Sequence, residues 1–213
     1  MSFSKTGVCG ECNWHLSSDG VLTIYPSNRL HGMLDRGCGR WPWDRYAEDV
    51  REVIIKDGVI ACSDIGYMFG GMRKCGRFNL SPLDTRLAKD MCGIFSGCVF
   101  LADISSLSSW DTQSVENMTL MFNDCASLSD INPIAGWDTK NVKKFDCMFF
   151  GCTSLSDAEP IRKWAFNSVV SAGTVFGRTS LGGNMPDFIS ALPHQLGGRL
   201  HADRILLRRH IPL

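Results

Sequence analysis

No stretch of this 213-residue chain reaches the roughly 18 to 20 consecutive apolar residues that a membrane-spanning helix requires. The opening residues, MSFSKTGVCG, lack the basic segment followed by an apolar segment that marks a signal peptide. Two expectations follow: the protein stays inside the cell, or this chain lacks its export segment. Net charge is missing too. Lys+Arg and Asp+Glu are both 22, so the formal net charge is zero, and nothing draws the chain toward nucleic acid or anionic lipid over distance. The exception is local: five Arg face two Asp from Arg178 onward, which reads as a solvated tail rather than a binding arm.

Catalytic vocabulary is equally thin. The five histidines, His15, His31, His194, His201 and His210, all lie outside the repeated segments described next. No nucleophile elbow or Ser-His-Asp set is visible, and FGGM at Phe69–Met72 lacks phosphate-loop spacing. The expectation is therefore no enzyme, no cofactor and no metal.

What the chain does have is a period of 27. Trp110, Trp137 and Trp164 fall in one column, and Cys98, Cys125 and Cys152 in a second. Leu101, Leu128 and Leu155 form a third; Phe95, Phe122, Phe149 and Phe176 form a fourth. Asp103, Asp130 and Asp157 align, as do Val115, Val142 and Val169. A weaker copy precedes these, with Leu83-Asp84-Thr85 in place of Trp110-Asp111-Thr112 and Phe69 one position closer to Phe95. A period between roughly 20 and 50 residues means a solenoid, a propeller or an array. One such unit cannot bury its own apolar face, but stacked units cover each other.

Within a unit, Met118, Met121, Phe122 and Cys125 stand at i, i+3, i+4 and i+7, which predicts one face of a short helix over Asn117–Cys125. Ser127–Ile131 alternates apolar and polar and predicts a short strand. Asn132–Thr139, with Pro, Gly and Asp-Thr, predicts an irregular return. A helix, a strand and a return in 27 residues describe a leucine-rich-repeat type of coil. The fold class expected is α/β: a short right-handed leucine-rich-repeat-like solenoid with an N-terminal β-rich cap. Residues 1–60 would form the cap, 61–181 the solenoid and 182–213 a C-terminal cap or tail. In the cap, Asn13–Tyr25 shows two alternating runs around Ser18-Asp19-Gly20, a hairpin signal. Arg51–Ile60 reads as a strand, an Asp-Gly turn and a second apolar run, and GCGRWPWDRY between them as an anchored loop.

These residues resemble the BspA-like leucine-rich-repeat family, the bacterial surface-protein repeats of the mycoplasma type. SSWDTQSVENMTLMFNDCASLSDI (Ser108–Ile131) is similar, almost position by position, to that family's unit. GVCGECNWHLSSDGVLTI with PWDRYAEDVREVIIKDGVI resembles the module that precedes such repeats. The resemblance covers about residues 7 to 181. It implies secreted or surface-anchored proteins acting in adhesion, without catalytic residues. It departs from the family at Leu83, which replaces Trp, and at Ala165-Phe166, which replaces Asp-Thr.

Three sets of residues invite a site. The column Cys98, Cys125 and Cys152 reads as a buried thiol ladder, ahead of disulfides or metal, because side chains in a stacked column point the same way. Cys92 and Cys147 fall outside it. For Cys9-Gly10-Glu11-Cys12, an incidental structural role, a disulfide, and a zinc or redox site completed by His15 and Cys38 all stay open. The column Asp103, Asp130 and Asp157 lies opposite the core-facing residues; it reads as a solvated face and is the candidate binding surface. Asp111-Thr112 and Asp138-Thr139 read as turn-bonding groups. The sequons at Asn79 and Asn117 read as chance. The expected function is non-enzymatic binding or adhesion by a monomer. Its partner is a protein or glycan, host matrix included, and its place the cell surface. The alternative is an intracellular interaction scaffold or a fragment of a larger surface protein, and a third reading is an enzyme of the CxxC type.

Overall fold

The computed structural model describes residues 4–28, 30–36 and 40–181, so the expected C-terminal cap or tail at 182–213 lies outside the described residues. Among these, the regular elements are mostly short strands, with four brief 3-10 helices. Seven strands occur: β1 (Lys5–Cys9), β2 (Cys12–Leu16), β3 (Val21–Pro26), β4 (Gly32–Met33), β5 (Glu52–Ile55), β6 (Val59–Ile60) and β7 (Arg77–Asn79).

Strict alternation builds the first sheet. Cys12, Trp14 and Leu16 of β2 are buried, while Asn13 and His15 between them are half-buried on the other face. Leu22 and Ile24 of β3, and Val53 and Ile55 of β5, continue the buried face. The order is β1-β2-β3-β5-β7. The β1/β2 and β2/β3 pairs are antiparallel, and the β3/β5 and β5/β7 pairs are parallel. The hairpin expected around Ser18-Asp19-Gly20 is there: Trp14 faces Ile24 in its register. A slip of one residue would turn this whole apolar set outward. β6 follows the Asp57-Gly58 turn but pairs in parallel with β4, in a separate two-stranded sheet.

The sheet does not stop at residue 60, because β7 pairs with β5, Val53 opposite Phe78. One continuous apolar cluster runs from Cys9 to Leu181. From Asp64 onward the chain advances by single parallel bridges, Asp64 to Asp90, Asp90 to Asn117, Asn117 to Lys144 and Lys144 to Ser171. The segment after each bridge satisfies its backbone in two directions. Met118, Leu120, Phe122 and Asp124 donate N–H bonds to Lys144, Asp146, Met148 and Phe150 in the next unit. The intervening Met121, Asn123 and Cys125 donate to carbonyls three residues back. The same alternation recurs from Ile65, Met91 and Phe145.

This arrangement replaces the short helix expected over Asn117–Cys125. Leu120 and Asp124 have φ of 57° and 56°, a left-handed conformation incompatible with a continuing right-handed helix. Equivalent positions agree: Tyr67, Gly93, Cys147 and Thr174 with Leu120, and Gly71, Gly97, Gly151 and Arg178 with Asp124, all have positive φ. Tight turns still place residues i, i+3, i+4 and i+7 inward, so Met118, Met121, Phe122 and Cys125 are fully buried and imitate a helical stripe. The strand expected at Ser127–Ile131 is irregular; Leu128 and Ile131 turn inward and Asp130 outward without a ladder. The short helical element falls later, in 3-10 turns at Ser105–Ser109, Asn132–Ile134 and Glu159–Ile161.

The columns become stacks. Phe95 and Phe122 are 5.5 Å apart between ring centroids and 7° from parallel; Phe122 and Phe149 are 5.5 Å and 6°. Trp110 and Trp137 are 6.4 Å apart at 3°, and Trp137 and Trp164 6.1 Å at 9°. Buried aromatic pairs at this distance contribute about 0.5–1.5 kcal/mol beyond their area. The tryptophans are also bonded: the indole N–H of Trp110, Trp137 and Trp164 donates to the carbonyls of Leu80, Leu107 and Ile134, one unit earlier.

Candidate functional site

With the apolar columns turned inward, the outward rows are what remains for function. The Asp103, Asp130 and Asp157 row is exposed. One oxygen of each carboxylate accepts a backbone N–H two residues on, from Ser105 (2.8 Å), Asn132 (2.8 Å) and Glu159 (2.9 Å). These bonds open the three 3-10 turns, and the bond from Ser105 holds the Asp103 carboxyl below the usual carboxylate range. The Ser105 hydroxyl also favours the Asp103 carboxylate, and the Asn132 side-chain amide donates to Asp130 at 2.7 Å. Each aspartate thus has a local structural task. The Asp-Thr turns behave in kind. Asp111 and Asp138 accept from the N–H of Gln113 and Lys140. The buried hydroxyls of Thr85, Thr112 and Thr139 donate to the carbonyls of Asp111, Asp138 and Ala165 in the next unit, at 3.0 Å each.

A second outward row escaped the sequence reading. Lys89, Glu116 and Lys143 stand in register, 27 residues apart, with alternating sign. Lys143 donates to Glu116 at 2.6 Å. Together with Gln113, Ser114, Asn141 and Ser168 they line a groove of about 480 Å³ crossing several units. Its wall is fixed from beneath: Asn141 donates to the Gln113 carbonyl at 2.8 Å and Ser168 to that of Lys140 at 2.7 Å. The signal was present in the 27-residue register, but the column changes sign from Lys89 to Glu116 to Lys143 and ends on the exposed Val170, so it shows no identity from unit to unit.

The cysteines are structural in form. Cys98, Cys125 and Cys152 are free and fully buried. Their thiols donate to the carbonyls of Phe69, Phe95 and Phe122, one unit earlier, at 3.1, 3.2 and 3.1 Å. Burial pushes all three up, Cys152 to about 12. Cys9 and Cys12 face each other across the β1/β2 turn; both are free thiols, donating to Asp35 and Gly32 carbonyls. Burial raises them to about 12 and about 11, the reverse of the lowering that activates a CxxC nucleophile. His15 lies on the opposite face of the sheet from Cys12, so it does not complete a ligand set with it; Cys38 lies outside the described residues. Among the described residues, no three His, Cys, Asp or Glu side chains converge to hold a metal ion.

The expected anchored loop has a specific task. The indole N–H groups of Trp41 and Trp43 donate to the carbonyls of Gly66 (2.9 Å) and Met68 (2.8 Å). One unit on, the equivalent carbonyls of Cys92 and Ile94 accept from the backbone of Tyr67 and Phe69. The two rings, buried and stacked 5.3 Å apart, therefore stand where a preceding unit would, and close the first end of the stack.

These features define a class: a repeat protein with an aromatic and thiol interior, one closed end and outward rows free to vary. The chain matches, over residues 63–185, the family described as Mycoplasma protein of unknown function, DUF285, and it belongs to that family, with the BspA-like character its repeats resemble. No curated protein matches it. Among solved structures it is similar to a leucine rich cell surface protein from Faecalibacterium prausnitzii A2-165, at 18% identity and a TM-score of 0.43. That alignment covers 84% of this chain and 47% of the other, so this chain spans about half that protein's length. No helix among the described residues is long and apolar enough to cross a membrane.

Proposed function

We propose that this protein is a non-enzymatic binding module: a short right-handed leucine-rich-repeat-like solenoid that presents an extended face to a protein or glycan at a bacterial cell surface. One observation carries the reading. The ladder of backbone bonds and the Phe, Trp, Cys and Thr columns hold successive units together from inside. The side chains of the outward row Lys89/Glu116/Lys143 lie outside these contacts, and the row Asp103/Asp130/Asp157 keeps its exposed carboxylates while one oxygen of each opens a 3-10 turn. Rigid repeat stacks use extended surfaces of this kind for recognition.

The test is a binding screen of the purified chain against host matrix proteins and glycans, followed by two triple variants. Asp103→Asn/Asp130→Asn/Asp157→Asn, which removes the charges but keeps an oxygen to accept each turn N–H, should weaken a captured ligand if the acidic row is the face. Lys89→Ala/Glu116→Ala/Lys143→Ala should do so if the groove is. If both bind as tightly as the parent, the choice of surface is wrong. The cysteine state favours a second reading, an intracellular interaction scaffold: nine free thiols stand among the described residues, and free thiols persist most readily in a reducing compartment. Labelling of intact cells with a membrane-impermeant reagent separates the two, since only a surface protein is tagged.

A further inference from the structure

Beside the tryptophan cap, two exposed arginines flank one carboxylate, Asp44, whose charge Arg40 favours, on a loop held in place. Arg40, Trp41, Pro42, Asp44 and Arg45 line a half-open cleft of about 470 Å³. Among the described residues, neither Arg40 nor Arg45 takes part in an ion pair, although the chain as a whole is neutral. Both are exposed. The loop that carries them is pinned by the Trp41 and Trp43 bonds to Gly66 and Met68. The Arg45 guanidinium is steadied 5.6 Å from the Tyr46 ring. Asp44 accepts the Trp41 N–H at 3.1 Å, which ties its carboxylate to the loop.

We propose that this cleft binds a small acidic saccharide, with Arg40 and Arg45 holding its carboxylate or sulfate. Guanidinium groups match such planar or tetrahedral anions with paired hydrogen bonds, and a frame fixed in advance reduces the ordering cost of binding. The Asp44 carboxylate selects the rest of the ligand. It repels a second anionic group and accepts from hydroxyl donors, so a ligand carrying one anion and several hydroxyls fits better than an acidic peptide. The site is independent of the repeat face.

Isothermal titration of the intact chain with a uronic-acid disaccharide, its neutral counterpart, a sulfated disaccharide and a short Asp/Glu peptide tests this. The acidic sugars should bind, with affinity falling as salt rises; the neutral sugar and the peptide should not. Arg40→Gln/Arg45→Gln, changes at exposed positions, should weaken binding by about tenfold or more, with unaltered circular dichroism. The aspartate triple variant should bind like the parent. The proposal is overturned if the parent binds no acidic sugar, if the arginine double variant binds equally, or if the peptide binds as tightly.

Discussion

Between Lys5 and Ile55 the backbone is satisfied by extended strands, paired side by side. From Asp64 onward the same requirement is met by tight turns in which every second N–H crosses to the next unit. Both regions bury a continuous apolar face, and the two faces merge in one core. They differ in what fixes register. In the sheet it is the alternation of side chains with a neighbouring strand. In the stack it is a set of identical side chains, each lying on its copy one unit away, with indole, thiol and hydroxyl bonds reinforcing the same step. The difference teaches that repetition itself is the register signal where strands are too short to provide one.

The heaviest blow to the stack should come from Phe122→Ala. Its ring lies 5.5 Å from both Phe95 and Phe149 and is fully buried, so the loss should be about 3–5 kcal/mol. Urea unfolding followed by tryptophan fluorescence measures it. Leu22→Ala, equally buried in the sheet, should cost about 2–5 kcal/mol. A loss under about 1 kcal/mol for Phe122→Ala, with Leu22→Ala behaving normally, would mean that the columns do not carry the stack.

Next comes the junction between the regions. Trp43→Phe keeps an aromatic ring but removes the donor to the Met68 carbonyl. An unsatisfied buried acceptor costs about 1–3 kcal/mol, and the loss should be accompanied by faster amide exchange in the first unit, around Ile65–Met72. Should Trp43→Phe prove neutral, the cap acts by filling space alone.

The inward columns were legible in the sequence because identity every 27 residues leaves little else for the Phe, Trp and Cys positions to be. The sheet was legible because Cys12–Leu16 and Val21–Pro26 alternate cleanly around a turn signal. The local conformation inside each unit was not. Leu120, Asp124 and Cys147 adopt positive φ without being glycine, and only their counterparts Gly93, Gly97 and Gly151 in neighbouring units carry that signal. The i, i+3, i+4, i+7 stripe then pointed to a helix that the crossing hydrogen bonds forbid. For the candidate surface, the acidic row was visible as a column, whereas its capping of the 3-10 turns depends on where those turns fall. The groove at Lys89, Glu116 and Lys143 needed the register before its alternating signs could be read as one row.

The thiol column sharpens the comparison through pH. Cys152 is raised from 9.0 to about 12 by burial, and Cys98 and Cys125 are raised as well. A group whose folded pKa exceeds its unfolded value lends stability below the unfolded value and loses it as pH rises through the folded one. Unfolding free energy should therefore fall between about pH 9 and 12, by up to about 1.4 kcal/mol per pH unit for each thiol. Cys152→Ala should remove one such contribution from the slope, measured by urea unfolding at stepped pH. A slope identical in parent and variant would show that the thiol does not stay neutral inside the stack.

The smallest effect isolates the turn geometry itself. Gly97 has φ of 78°, and a Cβ added there would meet only Gly71 backbone atoms at 3.8 Å, an ordinary contact distance. Gly97→Ala therefore tests backbone strain with almost no steric cost, and should destabilise by about 1–2 kcal/mol. The exposed Asp124 occupies the same position one unit on, at φ of 56°. Asp124→Gly should release a similar strain, offset in part by loss of the bond from Asn123 at 2.9 Å and by the greater freedom of glycine in the unfolded chain. Opposite signs at two equivalent positions, read from matched thermal unfolding, would mark the left-handed turn as a property of the unit. If alanine at 97 and glycine at 124 shift stability in the same direction, the turn is set by neighbours at each level instead.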